Sequence, residues 1–328
     1  MSLAQRRRAV TRAAAHWLGS FASSVRSVAR QPRPEVAPLS IPWSTFDRLQ
    51  FVVSQRHRTS VGGEHRGRQR APSPDFADYR PYQHGDDVRR IDWNVYGRLG
   101  VLQLRQTEAQ LRVSVKILLD CSASMHWGEP EKFKFARELT LALSRVALAR
   151  SDSVSITCLG HADRSIGPLS GIHQFGVVEH FLNATSPRGK VDLVSAVPPA
   201  IMDRSRPRNG PGLTFLISDL HGITDPGVLF GSLRSASESA VTLHVVSQAE
   251  ADPEALGDVD LVDAESGQIV EVGLSLNVIQ AYRARYDAWR QHLERTCGER
   301  DVRYVRCSTE RTIPEVVLAD LRNCQVVR

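Results

Sequence analysis

In the stretch VSVKILLDCSASM an aspartate and two serines, Asp120, Ser122 and Ser124, occupy alternate positions just as an apolar run ends. Alternate residues of an extended chain point the same way, so one carboxylate and two hydroxyls can converge on a point. These are hard oxygen ligands, suited to Mg²⁺, Mn²⁺ or Ca²⁺ and poor for thiophilic metals. A second acid, Asp219, closes the apolar run of GLTFLISDL. An acid at the end of a buried strand carries a desolvation cost unless it is paired, so two of them point to a shared cation. The plainer alternative is a polar turn: a serine caps the next helix and Asp120 accepts backbone N–H groups. That alternative explains one hydroxyl better than two.

The elements that must position these residues alternate between strand and helix signals from Val113 onward. VSVKILLD, DSVSITCLG, GLTFLISDL, AVTLHVVSQ and VRYVRCS read as strands, and DVDLVDAESGQIVEV reads as a hairpin turning at ESGQ. Between them EKFKFARELTLALSRVALAR, QFGVVEHFLNAT, VDLVSAVPPAIMDRS, GVLFGSLRSASES, SLNVIQAYRARYDAWRQHLERTCGER and TIPEVVLADLRNC carry helical periodicity. Such alternation predicts an α/β fold, a mostly parallel sheet flanked by helices. Ligands of such sheets bind at the carboxyl ends of the strands, where Asp120 and Asp219 stand.

Upstream, RQPRPEVAPLSIP reads as a linker, FDRLQFVVSQRHR as a short helix or strand, and RTSVGGEHRGRQRAPSP as a basic loop. The division expected is a basic amphipathic segment and linker over 1–38, a small β-rich segment over 39–112, and the α/β domain over 113–328. The net charge of +6 is a tail property: residues 1–34 hold seven arginines and no acid, so the rest is close to neutral. With few aromatics among the basic residues, nucleic acid is not an expected partner. Val10, Ala14, Trp17, Leu18, Phe21, Val25 and Val28 recur at helical spacing opposite the arginines, a pattern that fits peripheral contact with anionic lipid. Five cysteines in no paired spacing, and no long apolar run, point to a cytoplasmic protein, with the inner membrane face as an alternative station.

DCSAS is similar to the D-x-S-x-S motif of von Willebrand factor A domains, which build a metal-ion-dependent adhesion site at this strand end. The resemblance implies that Ser122 and Ser124 bind the metal directly and Asp120 through water. It also implies a threonine from a second loop, an aspartate from a third, matched here by Asp219, and a sixth position left for a partner's acidic group. Upstream, PDFADYRPYQHGDDVRRIDWNVYGRLGVLQLRQTEAQ resembles the signature of the bacterial Domain of Unknown Function 58 family, through Phe76, Arg80, Gly85, Asp86, Asp92, Trp93 and Glu108 among others. With DAESG and the closing VRYVRCSTE, the likeness covers roughly residues 50–328. It implies a protein partner, a MoxR-type AAA+ ATPase, and a role in maturing or assembling other proteins. One position departs from the pattern. Where relatives read Gly-Gly-Thr-Asp-Leu, this chain reads GKVDL, and Val191 has no oxygen to offer. Water, Asp192 or Thr185 are the substitutes within reach.

Enzyme motifs fail. There is no G-x-S-x-G elbow, no phosphate loop and no dinucleotide fingerprint. DCSAS also lacks the second acid of an aspartyl-phosphate phosphatase, and the histidines show no zinc spacing. The acids and arginines of HGDDVRRIDW read as turn caps and ion pairs, with Trp93 packed, rather than as acid–base catalysts. The expected function is therefore non-catalytic binding of a partner carboxylate through a divalent cation. The rivals are a membrane-surface scaffold with a decayed metal site, and a metal-assisted hydrolase with His126 or His221 as the base.

Overall fold

A computed structural model describes residues 43–53, 76–107, 112–160, 164–202, 212–253, 257–262 and 269–328. The amphipathic segment, the linker, the basic loop and the ESGQ turn lie outside the described residues. The chain divides into two compact units, one within residues 56–112 and one within residues 1–55 and 113–328.

In the smaller unit β1 (Phe76–Pro81) pairs antiparallel with β2 (Gln103–Thr107), and helix α1 (Trp93–Leu99) lies between them in sequence. The aspartates here cap. Asp86 accepts the Gln83 N–H at 2.8 Å, and Asp87 accepts the Arg89 N–H at 3.0 Å. Asp92 starts α1 by accepting the Asn94 and Val95 N–H groups, and its second oxygen accepts the Tyr79 hydroxyl at 2.9 Å. Asp87 and Asp92 each satisfy an N–H that a helix start leaves orphaned, whereas Asp86 closes the turn before them. One expectation fails: Trp93 does not pack but is 63% exposed, touching Tyr96 edge-on.

The larger unit is built on β3 (Ser114–Asp120), β4 (Ser153–Leu159), β5 (Ser165–Ser170), β6 (Gly212–Ser218), β7 (Ser239–Val246) and β10 (Arg303–Ser308), in the spatial order β10-β7-β6-β3-β4-β5. All neighbours run parallel except β4 and β5. The α/β sheet expected from the sequence is present. A separate antiparallel pair, β8 (Gly257–Val262) with β9 (Ile269–Leu274), forms the two arms of the expected hairpin. β5 carries no strand signal in the sequence: it is an edge segment, SIGPLS, whose glycine and proline break the usual pattern.

Pleating sends alternate residues of β3 into two cores. Val115, Ile117 and Leu119 face α2 (Lys132–Ala149), α3 (Phe175–Asn183) and the C-terminal helical segment starting at Ile313. Leu118 faces α4 (Leu193–Met202), α5 (Pro226–Ala236) and, beyond a single turn at Gln248–Ala251, the long α6 (Leu276–Glu299). Lys116 shares the second face and is buried, with its ammonium donating to the carbonyls of Ala200 at 3.0 Å and Ile201 at 3.2 Å. A cation there meets the negative end of α4.

Residues 43–53 belong to this unit. Phe46, in the turn Trp43–Arg48, is fully buried in the first core, and Asp47 takes two hydrogen bonds from Arg145 of α2 at 2.6 and 2.8 Å. Gln50 and Val52 exchange backbone bonds with Val326 and Arg328, so the segment ahead of the smaller unit is tied to residues that follow β10. Among the described residues no helix is long and apolar enough to cross a membrane.

The strand order starts at β3 and winds outward in both directions, through β4 to β5 and through β6 to β7 and β10. The reversal falls between β3 and β6. At such a switch point the loops leaving the two strands diverge and open a crevice. Asp120 ends β3, and Asp219 directly follows β6.

Candidate functional site

Asp120 is 2% exposed. One carboxylate oxygen accepts the Ser122 N–H at 2.9 Å, and the other accepts the Ser218 hydroxyl at 2.6 Å. Ser122 stands at the cap of the turn Ala123–His126, yet its hydroxyl makes no capping bond. It lies instead 2.9 Å from the Ser124 hydroxyl, and both serines are buried. The second serine is thus not explained by capping. The loop is laced to its neighbour by Ala123 N–H to the Gly189 carbonyl and Arg188 N–H to the Cys121 carbonyl, each 2.8 Å.

Burial pushes the Asp120 carboxyl up to about 6, the nearby charge of Asp219 adds to the rise, and the Ser218 and Ser122 hydrogen bonds offset part of it. The charge of Asp219 thus reaches Asp120. Asp219, however, already has a cation. Lys132, the first residue of α2, is fully buried and places its ammonium 2.7 Å from one oxygen of Asp219 and in a shorter bond with Glu250. The other Asp219 oxygen accepts the His221 N–H at 3.1 Å. Leu220 between them has φ 58°, a left-handed conformation uncommon for leucine, and its N–H is held by the Ser218 hydroxyl. Burial alone would raise the Asp219 carboxyl, but the Lys132 ammonium, with His221 behind it, holds it below the usual carboxylate range. Burial likewise disfavours the ammonium of Lys132, and the two carboxylates outweigh it, so its pKa is raised.

His221 is stacked on Trp289 at 5.3 Å between ring centres, and its buried Nε2, 3.7 Å from Glu250, has no hydrogen-bond partner. Below it His244 shares a hydrogen bond with the Tyr304 hydroxyl, and burial drives its pKa down to about 3. His126, the other histidine considered as a base, is exposed and paired with Glu131 at 2.8 Å. Asp219, His221 and Glu250 can each bring one ligand atom within 4.8 Å of the others, but Lys132 bonds both carboxylates of that group.

The oxygen donors of Asp120, Ser122 and Ser124 fit a hard cation. Asp219 and Glu250 share the Lys132 ammonium, while Asp120 accepts hydrogen bonds from Ser122 and Ser218. At the threonine position the second loop offers no side-chain oxygen. Val191 packs into the core beside α4, where a Cβ on Gly160 would stand 2.3 Å from its methyl group. The two side chains that might replace the threonine each already make a hydrogen bond to the backbone. The Thr185 hydroxyl donates to the Phe181 carbonyl at 2.9 Å, and Asp192 caps α4 through the Val194 N–H at 3.1 Å.

Lys132 and Glu250 were not foreseen. Lys132 stands in EKFKFARE, where a lysine reads as a solvated helix residue, and Glu250 lies in a polar turn 118 residues further on. Nothing in their spacing marks them as partners.

The sequence pattern of the family described as "Protein of unknown function DUF58" matches residues 78–295. The chain belongs to that family. This DUF58 protein is 27% identical over 259 residues to uncharacterised proteins of Mycobacterium tuberculosis and Mycobacterium bovis, a match spanning 76% of this chain and 80% of each relative. Among solved structures, the conserved hypothetical protein BatB from Bacteroides thetaiotaomicron is 15% identical, with TM-score 0.38, over 65% of this chain and 98% of that one. The SpRpn10 VWA domain is 10% identical, with TM-score 0.39, over 63% of this chain and 94% of that one. The fold of the DUF58 protein rests on its own strand order.

Proposed function

We propose that this DUF58 protein is a protein-interaction module that engages its partner at the carboxyl rim of the main sheet, through a divalent cation held by Asp120, Ser122 and Ser124. The observation that carries the reading is the Ser122–Ser124 contact beside the buried Asp120 carboxylate: three oxygens gathered at a switch point, with neither hydroxyl spent on a cap. When bound, Mg²⁺, Mn²⁺ or Ca²⁺ supplies a positive centre for a partner's acidic side chain. Lys132 neutralises Asp219 and fixes the loop after β6, so Asp219 acts on the site from outside, through charge and water. The partner implied by family resemblance is a MoxR-type AAA+ ATPase, with a role in protein maturation or assembly.

Partner capture from a bacterial lysate in Mg²⁺, in Mn²⁺ and in chelator tests this, with wild type beside Asp120→Ala and Ser124→Ala. Metal-dependent partners that both substitutions lose are the expected result. An identical set under every condition removes the proposal.

A further inference from the structure

β10 ends the main sheet: β7 lies on one side, and among the described residues no strand lies on the other. In a parallel ladder alternate residues turn both backbone groups to the neighbour and those between turn them away. The Thr309 N–H bonds the Val246 carbonyl at 2.9 Å, which sets the phase. Val305 and Cys307 face β7, and Tyr304 and Arg306 present their N–H and C=O groups outward.

That edge lines a cavity of about 220 Å³. Arg290 and Glu294 of α6 border it, and so do Asp320 and Asn323 of the C-terminal helix. The two helices pack on opposite faces of the sheet, α6 through Leu293 and Cys297 and the C-terminal helix through Val317 and Leu321. The opening is thus a helix-walled slot with a strand edge as its floor, the shape that accepts an extended segment as an added strand.

The charges choose the occupant. Asp320 is ion-paired with Arg311, and Arg290 lies 3.6 Å from Glu294 and 3.7 Å from Asp287. The Arg290 Nε is buried without a hydrogen-bond partner. Arg306 is exposed on the edge strand, with no acidic partner among the described residues. A second copy pairing edge to edge would bring Arg306 toward its own counterpart and set like charges against each other.

We infer that the β10 edge takes up an extended segment of a protein partner by strand addition, with an acidic side chain of that segment meeting Arg306 and Arg290. This is a second contact surface, independent of the cation site.

The test uses the full chain and a fluorescein-labelled peptide of alternating valine and glutamate, with a valine–lysine peptide as control, read by anisotropy. The acidic peptide is expected to bind saturably and the basic one not at all. Arg306→Glu is expected to weaken binding at least tenfold. Arg306→Pro deletes an outward N–H without touching the β7 ladder, and is expected to do the same. Hydrogen exchange at Tyr304 and Arg306 is expected to slow when the peptide binds, which covers the case in which the proline variant does not fold. Ser124→Ala and chelator should leave binding unchanged, so failure here is distinct from failure of the cation proposal. No binding of the acidic peptide, equal binding of both peptides, wild-type affinity in Arg306→Glu, or unchanged exchange on this edge would each overturn the inference.

Discussion

The ammonium of Lys132 lies 2.7 Å from the Asp219 carboxylate, with both side chains sealed from solvent and Glu250 closing the other side. An internal ammonium therefore holds together loops that follow β6 and β7. Removing one partner of such a group leaves buried charge without compensation, which typically costs about 3–5 kcal/mol. Lys132→Met should lower the urea midpoint accordingly. Adding Asp219→Leu and Glu250→Leu should recover a large part of the loss, because no orphaned charge remains. A loss below about 1 kcal/mol in the single variant would mean that the triad does not organise this rim.

Two buried groups give stability opposite dependences on pH. His244 titrates near 3 in the folded chain against an ordinary 6.5, so the unfolded chain binds its proton first and stability falls as pH drops below about 6.5. Asp120 titrates near 6 against an ordinary 3.8, so the folded chain binds its proton first and stability rises as pH falls from about 6 to 3.8. Each contributes a slope of about 1.4 kcal/mol per pH unit at most. In chelator, His244→Gln should flatten the acid-side loss seen in urea titrations between pH 6.5 and 4. Asp120→Asn should steepen it. Parallel curves for both variants and wild type would refute these assignments.

What was legible in the sequence follows from the range of the forces involved. The strands β3, β6 and β7 show in the sequence as the continuous apolar runs that a sheet buried on both faces needs, and β4 and β10 show as alternating ones. Asp120 and Asp219 stood out as polar breaks at the ends of those runs. β5 escaped because an edge strand is half exposed and here carries Gly167 and Pro168. Lys132 escaped for another reason. Burial of a lysine is decided by which acids the fold brings to it, and Asp219 and Glu250 lie 87 and 118 residues away. Trp93 was misjudged because a large aromatic side chain carries no mark of the surface it will or will not meet.

The valine at the second loop makes a test of the cation site by gain rather than loss. Val191→Thr replaces a methyl by a hydroxyl at nearly constant volume, beside the loop that Gly189 ties to Ala123. Placing a hydroxyl in a partly apolar setting costs about 1–3 kcal/mol of stability. An added oxygen ligand worth about 1.4 kcal/mol would tighten Mn²⁺ binding about tenfold. Calorimetric titration of wild type and Val191→Thr, each with Ser124→Ala as a background, separates a real ligand from a surface effect. Equal affinities in Val191→Thr and wild type would place the ion elsewhere.

Phe46 fixes how far the larger unit extends ahead of β3. Its ring is fully buried between Trp43 and the first core, and Phe51 packs 5.5 Å from Phe215 at the centre of the sheet. Truncating a buried phenylalanine typically costs about 3–5 kcal/mol, from lost transfer energy and the cavity left behind. Arg145→Ala, which breaks a part-exposed pair with Asp47, should cost no more than about 1 kcal/mol. Phe46→Ala should therefore shift the urea midpoint of the whole α/β unit, seen by tryptophan fluorescence as well as by far-ultraviolet dichroism, whereas Arg145→Ala should barely move it. A Phe46→Ala variant as stable as wild type would show that residues 43–53 lie on the unit without being part of its cooperative core.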